Sequence, residues 1–191
     1  EHVLKIKENA ELLDIPLKIF KTNVFDVSNL LNEQHPCYLC ARMRRGYLYD
    51  YAQKIGCNKI ALAHHFDDVI ETVLLSMFYS GSFKTMMPRV KSDNFLGMEL
   101  IRPLYFVREE DILSWAKTNH LSFLNCGCKF VEKKQDSKRK EIKELLKMLR
   151  KINPYIDKNI FRSTEKVNLQ TVLSYQLGNK IESVLEEKEH F

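Results

Sequence analysis

His64, His65, Asp67 and Asp68 stand within five residues, and Glu71 follows one helical turn later. Two imidazoles and three carboxylates in eight residues can ligate a metal, move protons as general acid and base, or hold Mg²⁺ against a nucleotide. Asp67 or Asp68 can also simply cap the helix that begins there, with Glu71 in a capping-like position. Five such groups at the end of a buried strand favour the chemical role. Cys37 and Cys40 form a CxxC, and Cys126 and Cys128 follow some 86 residues later as CxC. Thiols so spaced serve zinc knuckles, iron–sulfur ligation and dithiol exchange alike, although a zinc ribbon usually shows a second CxxC. Arg42, Arg44 and Arg45 come straight after the CxxC. On the first turns of a helix their charge opposes the dipole, which points to an anion nearby: a thiolate cluster, a nucleotide or an RNA phosphate, against the plainer reading of a solvated face.

Elements of an α/β domain would position these groups. Val3, Leu4, Ile6, Ala10 and Leu13 recur at helical spacing, so the chain opens inside a helix. Leu17–Val24 reads as a strand, and Ala41–Ile55 as a helix stopped by Gly56. Lys59–Ala63 reads as a short strand buried on both faces, leading straight into His64, and Val69–Phe78 as an amphipathic helix closed near Gly81. Residues 82–98 are expected to be irregular. Glu99–Leu104 should form another strand and Glu109–His120 a helix with Ile112, Leu113 and Ala116 inward. This alternation predicts an α/β fold, a mostly parallel sheet flanked by helices and Rossmann-like, in which ligands bind beyond the carboxyl ends of the strands. A lysine-rich helix with Ile142, Leu145, Leu146 and Leu149 on one face should follow, then a second helical stretch over Val167–Leu185. Cys57, between a glycine and a strand, is expected to be a small buried or half-buried hydrophobe.

With 191 residues, 45% hydrophobic and 29% charged, the chain can bury one core, and no apolar run approaches the roughly 20 residues of a membrane span. No membrane partner is expected. The opening residues lack the apolar core of a secretory signal, so the cytoplasm is the default location. Five cysteines without an export signal argue for thiols kept reduced, metal-bound or reactive. Between Lys129 and Lys151 lie ten basic and four acidic residues, a net +6 against +5 for the whole chain. So concentrated a charge suits a polyanion such as RNA, the alternative being an ordinary solvated face.

The run CYLCARMRRGYLYDYAQKIGCNKIALAHHFDDVIETVLLSMFYSG, with the later Met-Pro and IRPL, resembles the tRNA 2-thiocytidine synthetase family, the TtcA-type tRNA thiolases of the PP-loop ATPase superfamily. The resemblance covers about Glu1–Cys128. It implies an adenine-nucleotide α-hydrolase-like domain over residues 1–128; the charge and spacing beyond it read residues 129–191 as a basic helical extension. It implies that ATP adenylates the C2 oxygen of an anticodon-loop cytidine and that sulfur displaces AMP. The cofactors implied are a [4Fe-4S] cluster on Cys37, Cys40 and Cys126, ATP and Mg²⁺; Cys128 leaves the third ligand open between itself and Cys126. Asp67, Asp68 and His64 take the catalytic role, and His65, Glu71 and Arg45 line the nucleotide site. The partners implied are tRNA, ATP and a sulfur donor, either a cysteine desulfurase or sulfide, with a homodimer left open. The Ser-Gly-Gly-x-Asp-Ser loop of the superfamily is not found among these residues, whose six glycines are never adjacent; the expectation is that it lies upstream of Glu1, the alternative being a degenerate relative that does not adenylate. Two rivals remain: a non-catalytic RNA-binding module stabilised by zinc on the four cysteines, and an iron–sulfur enzyme that thiolates or desulfurates another base.

Overall fold

The short apolar run after Asn58 becomes strand β1 (Lys59–Ala61), paired in parallel with β3 (Glu99–Ile101) so that Ile60 faces Leu100. Hydrogen bonds from Glu99 N to Asn58 O (3.0 Å) and from Leu62 N to Ile101 O (2.9 Å) extend this ladder at both ends. Strand β2 (Arg89–Lys91) pairs antiparallel on the other side of β3, giving the order β1-β3-β2. A computed structural model describes residues 2–24, 27, 36–123 and 138–183, with the backbone alone over 36–38. The chain divides into two compact units, Glu1–Leu145 and Leu146–Phe191.

In the first unit, helices α1 (His2–Leu12), α2 (Pro36–Lys54), α3 (Phe66–Ser80), α4 (Glu109–Thr118) and the first half of α5 (Lys138–Ile152) accompany the sheet. The fold is the expected α/β. Val69, Ile70 and Val73 are wholly enclosed on one face of α3, as the sequence spacing requires. Each contributes about 1.5–3 kcal/mol by leaving water. Gly56 (φ +81°) and Gly81 (φ +55°) end α2 and α3 in the left-handed conformation that a Cβ disfavours.

Several expectations are corrected. Leu17–Asn23 runs without strand pairing, and Leu17 and Ile19 stay exposed: alternation alone supplies no ladder partner. β1 is not buried on both faces, because Lys59 and Ala61 are exposed around a half-buried Ile60. The stretch expected to be irregular contains β2, whose Arg89 grips Glu99 of β3 through Nε (3.0 Å) and Nη2 (2.5 Å). Leu113 is exposed while Ala116 is buried, so α4 offers the core a narrower stripe than its apolar residues suggest. Cys57 is exposed, because its backbone N–H closes α2 on Ala52 O (2.8 Å) just past the turn at Gly56.

In the second unit the α-helical part of the extension ends at Glu165, and a single 3-10 turn follows at Leu169–Thr171. After the end of α5 come α6 (Ile156–Glu165), missed in the sequence, and a hairpin of β4 (Ser174–Leu177) and β5 (Lys180–Ser183) where a helix was expected. Gly178 (φ +62°) and Asn179 make its two-residue turn, chemistry that outweighs the apolar residues around it. Asp157, almost fully buried, is held by Arg150 Nε at 3.1 and 3.0 Å. Among the described residues no helix is long and apolar enough to cross a membrane.

Candidate active site

The HHFDD run emerges at the carboxyl end of β1, beside the carboxyl end of its parallel partner β3. His65 is the N-cap of α3 in extended conformation, and its backbone N–H donates to Asp68 Oδ2 at 3.1 Å. Asp67 and Asp68 both occupy the first turn, where the helix dipole favours negative charge. The His65 imidazole lies between them, Nε2 at 3.4 Å from Asp68 Oδ2 and Nδ1 at 3.9 Å from Asp67 Oδ2. Asp67 is buried and accepts the Glu109 backbone N–H at 2.8 Å, while Phe66 N–H donates to Val107 O at 2.9 Å. The starts of α3 and α4 therefore brace each other. Capping and chemistry are not exclusive here, since Asp68 caps and also faces a cation.

That cation comes from α5. One nitrogen of Arg139, Nη1, lies 2.8 Å from both Asp68 Oδ1 and Glu71 Oε2. Lys143 Nζ sits 3.0 Å from both oxygens of Glu109 and 3.7 Å from Glu71 Oε1. Glu71 is 1% exposed. Burial pushes its pKa above the ordinary carboxylate range, and the charges of Lys143 and Arg139 only partly oppose this. For Lys143, burial lowers the pKa, but the hydrogen bond to Glu109 and the nearby carboxylates outweigh it and the net direction is up. The tip of α3 adds a bond from the Tyr79 hydroxyl to Glu141, with Lys138 Nζ 4.8 Å above the Tyr79 ring.

On the strand side of HHFDD the balance reverses. Arg102 leaves β3 immediately after Ile101, its backbone N–H bound to Pro88 O at 2.9 Å and its Nη1 donating to Met87 O. Its Nε is enclosed without a hydrogen-bond partner, as are His64 Nδ1, His65 Nδ1 and Thr85 Oγ1. Burial lowers the pKa of His64, and the Arg102 charge lowers it further. Burial likewise lowers that of Arg102, and the charge of Arg45 adds to the effect. Arg45 is exposed on α2, its Nε 3.4 Å from Ala41 O. The helix begins five residues earlier than expected, so Arg42, Arg44 and Arg45 stand beyond its first turn and the dipole argument for an anion no longer applies to them. Cys40 is half-buried on the same helix; Cys37 is placed one turn before it by backbone only. Cys126 and Cys128 lie outside the described residues, as do Lys129–Ser137. Among the described residues no three His, Cys, Asp or Glu side chains converge as metal ligands.

A family model described as a PP-loop domain matches residues 1–128, the stretch that carries both HHFDD and the cysteines. This chain belongs to the PP-loop domain family. The chain is similar to the tRNA-cytidine(32) 2-sulfurtransferase of Geotalea uraniireducens, 45% identical over 137 residues, covering 72% of this chain and 54% of that protein. It is also similar to the enzyme of the same name from Coxiella burnetii, 35% identical over 159 residues and 61% of that protein. The chain thus spans about half the length of the curated relatives it matches. The U34-tRNA thiolase NcsA from Methanococcus maripaludis, solved with its [4Fe-4S] cluster, superposes with a TM-score of 0.65 at 23% identity, over 90% of this chain and 57% of that one. That likeness supports the PP-loop α/β fold. Sequence reasoning missed Arg102, Arg139 and Lys143 as members of the site. An arginine directly after a core strand, at the carboxyl edge of a parallel pair, was the available signal for the first.

Proposed function

We propose that this chain serves ATP-dependent thiolation of tRNA at C2 of an anticodon-loop cytidine, the base at position 32 in the relatives' name. One observation carries the reading: the strand-end run His64, His65, Asp67 and Asp68 lies within the stretch that is 45% identical to a tRNA-cytidine(32) 2-sulfurtransferase. Residues 1–128 then bind the nucleotide and the reacting base, and the basic extension 129–191 contacts tRNA. The setting is the cytoplasm, where tRNA and ATP meet.

The residues present fit Mg²⁺ at Asp67 and Asp68, whose oxygens suit a hard cation that is commonly held by one or two carboxylates and substrate phosphates. Arg139 and Lys143 already neutralise Glu71, and Arg139 also meets Asp68 through Oδ1, so Mg²⁺ would be held by Asp67 and the other oxygen of Asp68. In the first step the C2 oxygen attacks the α-phosphate of ATP, and the bond to pyrophosphate breaks. In the second a hydrosulfide forms the C2–S bond while C2–O breaks and AMP leaves. His64, with a free Nδ1 and a pKa held below its usual value, is neutral at pH 7 and takes the sulfhydryl proton. Asp68 orients the neighbouring His65 through both its backbone and its ring. Cys37 and Cys40, one turn apart on α2, with Cys126, are the thiols that would hold a [4Fe-4S] cluster, which would supply a Lewis-acidic iron for the sulfur. The sulfur itself comes from sulfide or a cysteine desulfurase, and a dimer remains compatible.

The test is nucleoside mass spectrometry of a tRNA transcript incubated anaerobically with the iron-loaded protein, ATP, Mg²⁺ and sulfide. 2-Thiocytidine is expected with the wild type and at least 100-fold less with Asp68→Asn. Colourless protein containing one zinc and giving no thiolated base would overturn the reading in favour of an RNA-binding module.

A further inference from the structure

Strands β4 and β5 make a sheet of their own: they pair antiparallel, and among the described residues no third strand joins either outer edge. The hairpin also lies beyond residues 1–128, the stretch matched as a PP-loop domain. A lone hairpin is marginal in water, and an open edge offers its unpaired backbone groups to another strand. Apolar side chains around it stay in solvent. Leu173 is 67% exposed, Leu177 77% and Ile181 64%.

The turn decides which groups face outward. Leu177 and Lys180 flank the two-residue turn Gly178-Asn179 and are the pair that exchanges both backbone hydrogen bonds, so alternation leaves the N–H and C=O of Ile181 pointing away from β4. Around that position β5 reads Lys180, Ile181, Glu182, and all three side chains are exposed. This triplet is its own complement in antiparallel pairing. A second copy turned about Ile181 sets its Glu182 opposite Lys180 and its Lys180 opposite Glu182, while the two Ile181 residues exchange both backbone bonds. The opposite charges then fall at the positions without backbone bonds, where side chains approach most closely. The corresponding triplet of β4, Tyr175, Gln176 and Leu177, carries no charge to select a register.

We infer that the outer edge of β5 pairs with the same edge of a second copy of this chain, giving a four-stranded sheet in the order β4-β5-β5-β4 across a two-fold axis. The pairing draws on no residue of the HHFDD run and stands whether or not the chain thiolates tRNA. So small a contact belongs at the weak end of protein interfaces, with a dissociation constant on the order of 10 μM.

Sedimentation velocity of the full chain, at concentrations on both sides of that constant, reads it directly. Lys180→Glu and Glu182→Lys each set like charges opposite one another across the axis and should weaken the dimer at least about 10-fold. Combining the two reverses the order of the charges but keeps the triplet self-complementary, so the double variant should return to within about threefold of wild type. An equimolar mixture of the two single variants should likewise dimerise, because one then carries only acids and the other only lysines on this edge. Lys180→Glu keeps the Tyr175 hydroxyl bond to Glu182, so an unchanged unfolding midpoint in that variant shows that the hairpin survives. A wild type that stays monomeric, a dimer indifferent to both reversals, or a double variant that fails to recover overturns the inference.

Discussion

Two arginines flank the HHFDD run and are used in opposite ways. Arg139 enters from α5 and ends between two carboxylates at 2.8 Å each; Arg102 leaves β3 and keeps an enclosed nitrogen without a partner. A matched buried charge holds a fold together, whereas an unmatched one lowers stability until a ligand arrives. The same side chain is therefore a matched charge on one side of the run and an unmatched one on the other. Two members of the basic run, Arg139 and Lys143, are committed to the first role, which leaves fewer of its cations for RNA than its net charge suggests.

The sharpest test is to remove each guanidinium in turn. Arg139→Met leaves the enclosed Glu71 facing only Lys143 at 3.7 Å. Breaking a fully buried pair costs about 3–5 kcal/mol, and with Arg139 itself 43% exposed the expected loss is about 2 kcal/mol, read from the denaturant midpoint. Arg102→Met should leave the midpoint unchanged or raise it. Equal losses in the two variants would erase the distinction between matched and unmatched charge.

Next in size is the pH dependence, where the two sides titrate with opposite sign. Glu71 has a raised pKa when folded, so the native state holds its proton more tightly; this contribution is present below the unfolded value of about 4.5 and is lost as pH rises through the folded one. His64 has a lowered pKa when folded; its contribution is present above about 6.5 and is lost as pH falls through the folded value. Between these limits the two slopes oppose each other in the wild type. Glu71→Gln should leave stability rising with pH, and His64→Gln should leave it falling. Proton-linked unfolding measured from pH 4.5 to 7 gives the answer, and identical slopes in the two variants would sink the assignment.

The sequence exposed one side of this comparison far better than the other. HHFDD was legible because its residues are adjacent and a short apolar strand delivers them to a known kind of crevice. The anchor was not, since Glu71 and Arg139 are 68 residues apart and were read separately as a site carboxylate and a basic surface run. Arg102 stood in plain sight within IRPL, but its meaning depends on its contacts with Met87 and Pro88, which no periodicity reveals. The same limit explains the fold errors. Leu17–Asn23 alternates like a strand yet finds no partner, and β2, three residues long and exposed, exists only because β3 offers it an edge. The hairpin at Gly178 and Asn179 was a local signal and should have been read as one.

The smallest expected effect concerns what fixes the position of α5. Two kinds of contact hold its first turns: the buried charges around Glu71, and an exposed patch in which Tyr79 bonds Glu141 and Lys138 covers the ring. Exposed partners exchange their contacts for water at little cost, and salt screens what remains. Tyr79→Phe removes the hydrogen bond and keeps the ring for Lys138, so its unfolding midpoint should coincide with wild type at any salt concentration. If Tyr79→Phe instead approached the loss seen in Arg139→Met, the surface contact and not the enclosed carboxylate would be what anchors α5, and the contrast between Arg139 and Arg102 would lose its physical basis.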